Sequence, residues 1–165
     1  MLLSFLALSA CTEPEAPDFV LFDCASAKQR YILHGAPDGS LSLEIAEELD
    51  SPLGVSTWRG RWTAIRSGHV TGQQGGHQRH LRLSDREGHF ILYEGENGAL
   101  SDAPGKTYAG VSWVEGNGGE PVSLASCEAS PTNRSVVENV NDLRVRAEIP
   151  QLAQEELDGP FDAWF

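Results

Sequence analysis

The chain is poor in positive charge. Its 165 residues hold 12 Lys and Arg against 24 Asp and Glu, a formal net charge of −12. Nucleic-acid binding depends on clustered cations that displace counterions from phosphates, so this balance argues against a nucleic-acid partner, while suiting solubility and a cationic one. Long apolar runs are missing too. The longest, Leu2–Leu8, is interrupted by Ser4 and is followed after Cys11 by the polar TEPEAP stretch of residues 12–17. A bilayer-spanning helix needs about 20 apolar residues, so none is expected. No internal repeat recurs at a fixed period. No serine sits in a Gly-x-Ser-x-Gly turn, and the glycines of residues 67–77 lack the Gly-Lys-Ser/Thr ending of a phosphate cradle. The carboxylate pairs Glu47/Glu48 and Glu155/Glu156 fall in acidic, solvated runs. With no constellation that meets the preconditions of catalysis, neither an enzymatic activity nor a cofactor is expected.

What is present begins at the N-terminus. A secretory signal has an apolar core of about 7–15 residues ending in small residues, and Leu2–Ala10 fits that description. The next residue completes a quartet, Leu8-Ser9-Ala10-Cys11, that resembles the lipobox of bacterial lipoproteins. The resemblance implies cleavage before Cys11 and diacylation of its thiol. Residues 1–10 would then be the signal peptide, and residues 11–17 a lipidated tether anchored stably by two acyl chains. Thr12, standing where an Asp would resemble an inner-membrane retention signal, implies an outer-membrane lipoprotein facing the periplasm. No Lys or Arg precedes the apolar run, a departure from signal anatomy that a start upstream of Met1 would remove. The competing reading makes Leu2–Cys11 a first buried strand.

If Cys11 carries lipid, Cys24 and Cys127 are left to pair in an oxidising compartment. They end the first and last strand-like runs of the chain, so a bond between them would tie together the ends of one β domain, residues 18–127. Closing a loop of roughly 100 residues is worth up to ~4–5 kcal/mol in the chain-entropy model. Two unrelated buried thiols are the alternative.

Between the cysteines the pattern is all-β: short apolar runs divided by turn signals. Strands are expected at Phe19–Asp23, Gln29–Leu33 and Leu41–Ile45, then along Thr57–Ile65 with Trp58, Trp62 and Ala64 on one side. They continue at His80–Leu83, His89–Tyr93, Tyr108–Val114 and Val122–Leu124. Residues 47–54 read as a loop or a single helical turn, and the Gly-rich residues 67–77 as a mobile hairpin connection. The fold class is mainly β, about eight antiparallel strands as a small barrel or sandwich. Residues 128–165 form a helical tail packed on that domain. A capping box, Ser135 to Glu138, precedes Val136, Val137, Val140 and Leu143 at helical spacing. A second short helix is expected from Pro150 to Leu157, with Trp164 and Phe165 packing the terminus down.

Charge is distributed unevenly. Residues 56–90 carry six of the twelve basic residues (Arg59, Arg61, Arg66, Arg79, Arg82 and Arg86) against Asp85 and Glu87, a local +4 that leaves −16 for the rest. Strand alternation predicts that Arg59, Arg61 and Arg82 share the face opposite the core, a candidate surface for an anionic partner. The competing reading pairs this face with the acidic tail, residues 148–162. His69, His77 and His80 fall in the same segment and invite a metal reading, since catalytic zinc commonly takes three protein ligands. Neighbouring arginines and the lack of a fixed carboxylate count against it.

A small acidic lipoprotein with one disulfide and about eight strands is similar in size and layout to the membrane-bound lysozyme inhibitors. That family's loop, Ser-Gly followed by Tyr, has no counterpart, because Ser67-Gly68 and Tyr108 are far apart in the chain. The resemblance implies a lipid-anchored periplasmic binding or inhibitor module acting on an envelope or extracellular protein. The alternatives are a structural or accessory lipoprotein of an envelope complex, and a metal-binding protein or enzyme using the His-rich segment.

Overall fold

The structure is a computed structural model and describes residues 19–47, 55–71, 75–116, 120–127, 136–146, 148 and 153–154. Cys11 and the residues before it, the loop at 48–54, Ser135 and the aromatic terminus lie outside the described residues. The protein is mainly β. Strands β1 (Phe19–Ala25), β2 (Gln29–Gly35), β3 (Ser40–Glu47) and β4 (Val55–Arg61) form one antiparallel meander. Strands β5 (Ile65–Thr71), β6 (His77–Ser84), β7 (Gly88–Glu96), β8 (Thr107–Glu115) and β9 (Val122–Cys127) form a second. Helix α1 (Val136–Arg146) follows, and β10 (Ala153–Gln154) joins the second sheet in parallel beside β5. Among the described residues the two sheets do not close into a barrel. Instead they face one another across one core, as in a sandwich.

Alternation explains the first sheet. Tyr31, Leu33, Leu41, Leu43 and Trp58 point to the core, and their neighbours point to water. Each fully buried Leu is worth about 1.5–3 kcal/mol of transfer free energy. The second sheet contributes Ile65, Leu81, Leu83, Leu92 and Val111, and α1 contributes Val136, Val140 and Leu143, to the same cluster. The helix is held at both sheets. Glu94 Oε2 of β7 accepts from the Val136 backbone N–H at 2.9 Å, and Asn139 Nδ2 donates to the Leu21 carbonyl at 3.1 Å. A carboxylate at the first turn meets the positive end of the helix dipole.

Two expectations are corrected between residues 57 and 77. Thr57–Ile65 is not one strand. It breaks at a 3-10 turn, Trp62–Ala64, which carries the chain from the first sheet to the second. Trp62 is buried there, and burying it this way bends the alternation that a continuous strand would keep. The glycine-rich stretch is also not all loop. Ile65–Thr71 pairs along its length with Leu83–His77. Among the described residues nine strands therefore precede α1 instead of about eight. A third correction concerns the tail: Ala153 and Gln154 pair with Arg66 and Ser67 as strand, inside the span expected to be a second helix. An exposed β5 edge offers backbone partners that a lone short helix in water cannot match.

Cys24 on β1 and Cys127 on β9 are disulfide-bonded, with Cα atoms 5.4 Å apart. The bond joins an edge strand of one sheet to an edge strand of the other. At the opposite side Trp58 of β4 donates its indole N–H to the Ser84 carbonyl of β6 at 3.1 Å. The sheets are thus fastened by a covalent link on one side and by the 3-10 turn with this hydrogen bond on the other.

Candidate functional site

The three arginines expected to share a face are divided between the sheets. Arg59 and Arg61 lie on β4, exposed on the outward side of the first sheet. Arg59 is in register with Ser42 of β3, and Ser42 with His34 of β2. Around them the face is polar and open. Arg30 makes a two-point ion pair with Asp23, at 3.0 and 2.7 Å, and His34 approaches Glu44 at 3.7 Å. Asp38, in the turn before β3, accepts from the Ser40 hydroxyl and N–H, which with nearby Arg61 hold its carboxyl below the usual range. Arg61 Nη1 reaches the Asp38 carbonyl at 3.4 Å. Arg59 has no ion pair among the described residues. It stands on β4, which has β3 as its neighbour and is an edge strand of the first sheet among the described residues.

Arg82 is placed differently. It lies on β6, on the outward side of the second sheet, and is only 7% exposed. The register aligns Arg66, Arg82, Ile91, Ser112 and Ser123 across β5 to β9. The adjacent row runs Gly68, His80, Tyr93 and Gly110, and the next Val70, Gln78, Gly95 and Tyr108. Gln78, Ile91 and Ser112 are 0% exposed and His80 is 2% exposed, so the centre of this outward side is buried although it is not the core side, while Arg66 at its β5 margin is exposed. The rings fit because glycine stands beneath them. The His80 ring lies on Gly68 and the Tyr93 ring on Gly110, each where a Cβ would collide. Tyr108 Oη is 3.5 Å from Gln78 Oε1, and Gln78 Nε2 is a buried donor with no acceptor among the described residues. Burial pushes the Tyr93 hydroxyl up, against the opposing pull of Ser112 and Ser123. Burial and neighbouring Tyr93 push Tyr108 up to about 12.

The histidines do not converge. His77 lies in the row Thr71, His77 and Glu96, on the core side, where His69, Arg79 and Glu94 form the row beside it. The His69 and His77 rings are 6.3 Å apart, edge to face. His80 is an odd number of residues along β6 from His77 and points to the opposite face. Burial, then the charge of Arg79, lowers the His69 pKa, which disfavours a further cation. Among the described residues no group of three His, Cys, Asp or Glu is arranged to hold a metal ion, and no helix is long and apolar enough to cross a membrane.

Ser67-Gly68 is inside β5 and Tyr108 is half-buried on β8, so neither is presented in a loop. The feature that sequence reasoning missed is the buried outward face of the second sheet. Its trace was the run of apolar residues at both parities in β7, Phe90-Ile91-Leu92-Tyr93, the signature of a strand covered on both sides. Comparisons with protein-family models, with curated proteins and with solved structures found no match to this chain.

Proposed function

We propose that the protein is a lipid-anchored periplasmic binding module of a bacterial outer membrane, tethered through Cys11, whose partner is an envelope or extracellular protein. The observation that carries this reading is Arg59: an exposed cation on an edge strand of a disulfide-bonded sandwich, with no ion pair among the described residues. Surface arginines are enriched where proteins meet, because the guanidinium fork recognises carboxylates in two-point geometry. A rigid two-sheet scaffold suits presentation of such a face, since neighbouring strands fix the relative positions of Arg59, Ser42 and His34. Arg82 does not belong to this surface, being on the other sheet and buried.

The test is site-specific photocrosslinking from positions 42 and 59 of the full-length protein in bacterial envelopes, with position 122 on β9 as control. The expected result is a discrete adduct from positions 42 and 59, absent from 122, and abolished from 42 by Arg59→Glu with Arg61→Glu. The reading fails if no adduct forms, or if all three positions give the same one. Anchoring is tested separately: Cys11→Ala should move the protein from the membrane to the soluble fraction. An inhibitor role adds the requirement that a purified lysozyme binds the protein and is slowed by it.

A further inference from the structure

The segment Trp58-Arg59-Gly60-Arg61-Trp62 reads the same in both directions. Its residues are sorted by side. Trp58 and Trp62 are buried, at 8% and 6% exposure, while Arg59 and Arg61 are exposed. Along β4, alternation sends Trp58 and Gly60 towards the core and the two arginines outward.

The backbone that carries the arginines is fixed from behind and at both ends. The Trp58 ring lies against Gly60, where a Cβ would collide with it. The Trp58 indole N–H donates to the Ser84 carbonyl at 3.1 Å, and the Trp62 backbone N–H donates to the Gly39 carbonyl at 2.9 Å. Beside this stretch, β3 places Ser42 opposite Arg59, Leu41 opposite Gly60 and Ser40 opposite Arg61. The two guanidinium groups therefore leave one held stretch on one side, with Cα atoms roughly 6.6 Å apart at ~3.3 Å of rise per residue.

Neither arginine has an ion pair among the described residues. The carboxylates of this sheet are engaged elsewhere. Asp23 is held by Arg30, Glu44 lies 3.7 Å from His34, and Asp38 accepts from the hydroxyl and N–H of Ser40. Arg61 reaches the Asp38 backbone carbonyl at 3.4 Å and lies in the field of its carboxylate, so Arg59 is the freer of the two.

We propose that Trp58–Trp62 is a two-pronged clamp for an extended acidic segment of the partner protein, whose carboxylates at alternate positions each face one arginine. An extended chain presents alternate side chains on one side with the same repeat as β4. The guanidinium fork takes a carboxylate by two parallel hydrogen bonds, and a backbone already held in place lowers the ordering cost of binding. The whole chain carries −12, so its overall field does not draw acids in. Screening confines such fields to about 8 Å at physiological ionic strength, which leaves the contact to the local pair. This inference rests on the proposed role of Arg59 and names the chemistry of the partner at that surface.

The experiment is an NMR titration of the full chain, disulfide formed, with two synthetic peptides of equal charge. One alternates Glu and Thr, and the other carries the same number of Glu residues at every third position among Thr. The alternating peptide is expected to shift the Arg59 and Arg61 side-chain Nε–H signals and the Ser42 amide, and to bind at least fivefold more tightly than the other. Arg59→Lys with Arg61→Lys should weaken it at least threefold, and Arg59→Gln with Arg61→Gln at least tenfold. Both pairs change exposed side chains, so both variants should keep the parent's denaturation midpoint. Equal binding of the two peptides overturns the two-pronged reading, and so does full retention by the lysine pair. Unmoved Arg59 and Arg61 signals with either peptide overturn the inference as a whole. If phosphatidylglycerol vesicles move those signals and the alternating peptide does not, the arginines meet a lipid surface and the inference fails. A discrete envelope adduct from position 59 without peptide binding removes this inference alone. Peptide binding without an envelope adduct removes the proposed function and leaves the clamp.

Discussion

The outward faces of the two sheets make opposite use of the same alternating backbone. On the first, Arg59 is exposed, Val20 is 46% exposed, and ion pairs such as Arg30–Asp23 sit at the water boundary. On the second, the corresponding positions hold Gln78, His80, Arg82, Tyr93 and Ser112, all buried. An arginine in one setting is a surface feature and in the other a structural one. Solvent decides this, since it screens the first charge and is excluded from the second. Residue type alone therefore cannot assign a role to an arginine in this chain.

The comparison can be broken most forcefully by uncoupling the sheets. Replacing Cys24 and Cys127 by Ala is predicted to cost up to ~4–5 kcal/mol of unfolding free energy in denaturant titrations, the chain-entropy value for a loop of this order. Unchanged stability in the double variant would mean that the link adds nothing to what the core already enforces.

A second, smaller effect sharpens the contrast. Arg82→Met is predicted to lose about 2 kcal/mol, as expected when a charged hydrogen-bonding group is removed from a buried site, while Arg59→Met should stay within about 0.5 kcal/mol of the parent, as exposed positions do. Equal losses for the two variants in parallel denaturation curves would contradict the burial difference.

A further effect is a pH dependence in the alkaline range, carried by the second sheet. Tyr108 ionises at about 12 in the folded protein, against about 10 in an unfolded chain. The folded state then keeps this proton where the unfolded state has lost it, so stability should fall as pH rises from about 10 towards 12. Tyr108→Phe should flatten that part of the curve, and ultraviolet titration should show tyrosine ionising well above pH 10, with one such group fewer in the variant. A tyrosine spectrum that titrates wholly near pH 10 would refute it.

Much of the first sheet was legible in the sequence, because β2 and β3 each have one wet face, and so Tyr31, Leu33, Leu41 and Leu43 recur with period two. The turn between β2 and β3 has its own sequence signal in Pro37-Asp38-Gly39, since Gly39 has φ 82°, which only glycine adopts without strain. The helix was read from Val136, Val140 and Leu143, although its first N–H is met by Glu94, a residue 42 positions upstream that no local pattern could supply. The candidate surface was half legible. Alternation gave Arg59 and Arg61 a common outward side, but the turn at Trp62–Ala64 transfers the chain to the other sheet before Arg82 is reached. Parity counted along the sequence loses its meaning at such a crossing. β5 was hidden for another reason: Ser67, Gly68 and His69 have weak strand preference, and it is pairing to β6, with the His80 ring over Gly68, that makes them a strand.

The position of the disulfide also determines how the molecule would bear a load. A pull applied from the N-terminal side enters the described fold at Phe19 and meets Cys24 five residues later. Only that short length of β1 can be peeled from β2 before tension passes through the covalent bond into β9. Beyond it the force must shear a second sheet instead of unzipping the first from its edge, so the fold pulled from this end would keep both sheets intact until the core itself gave way.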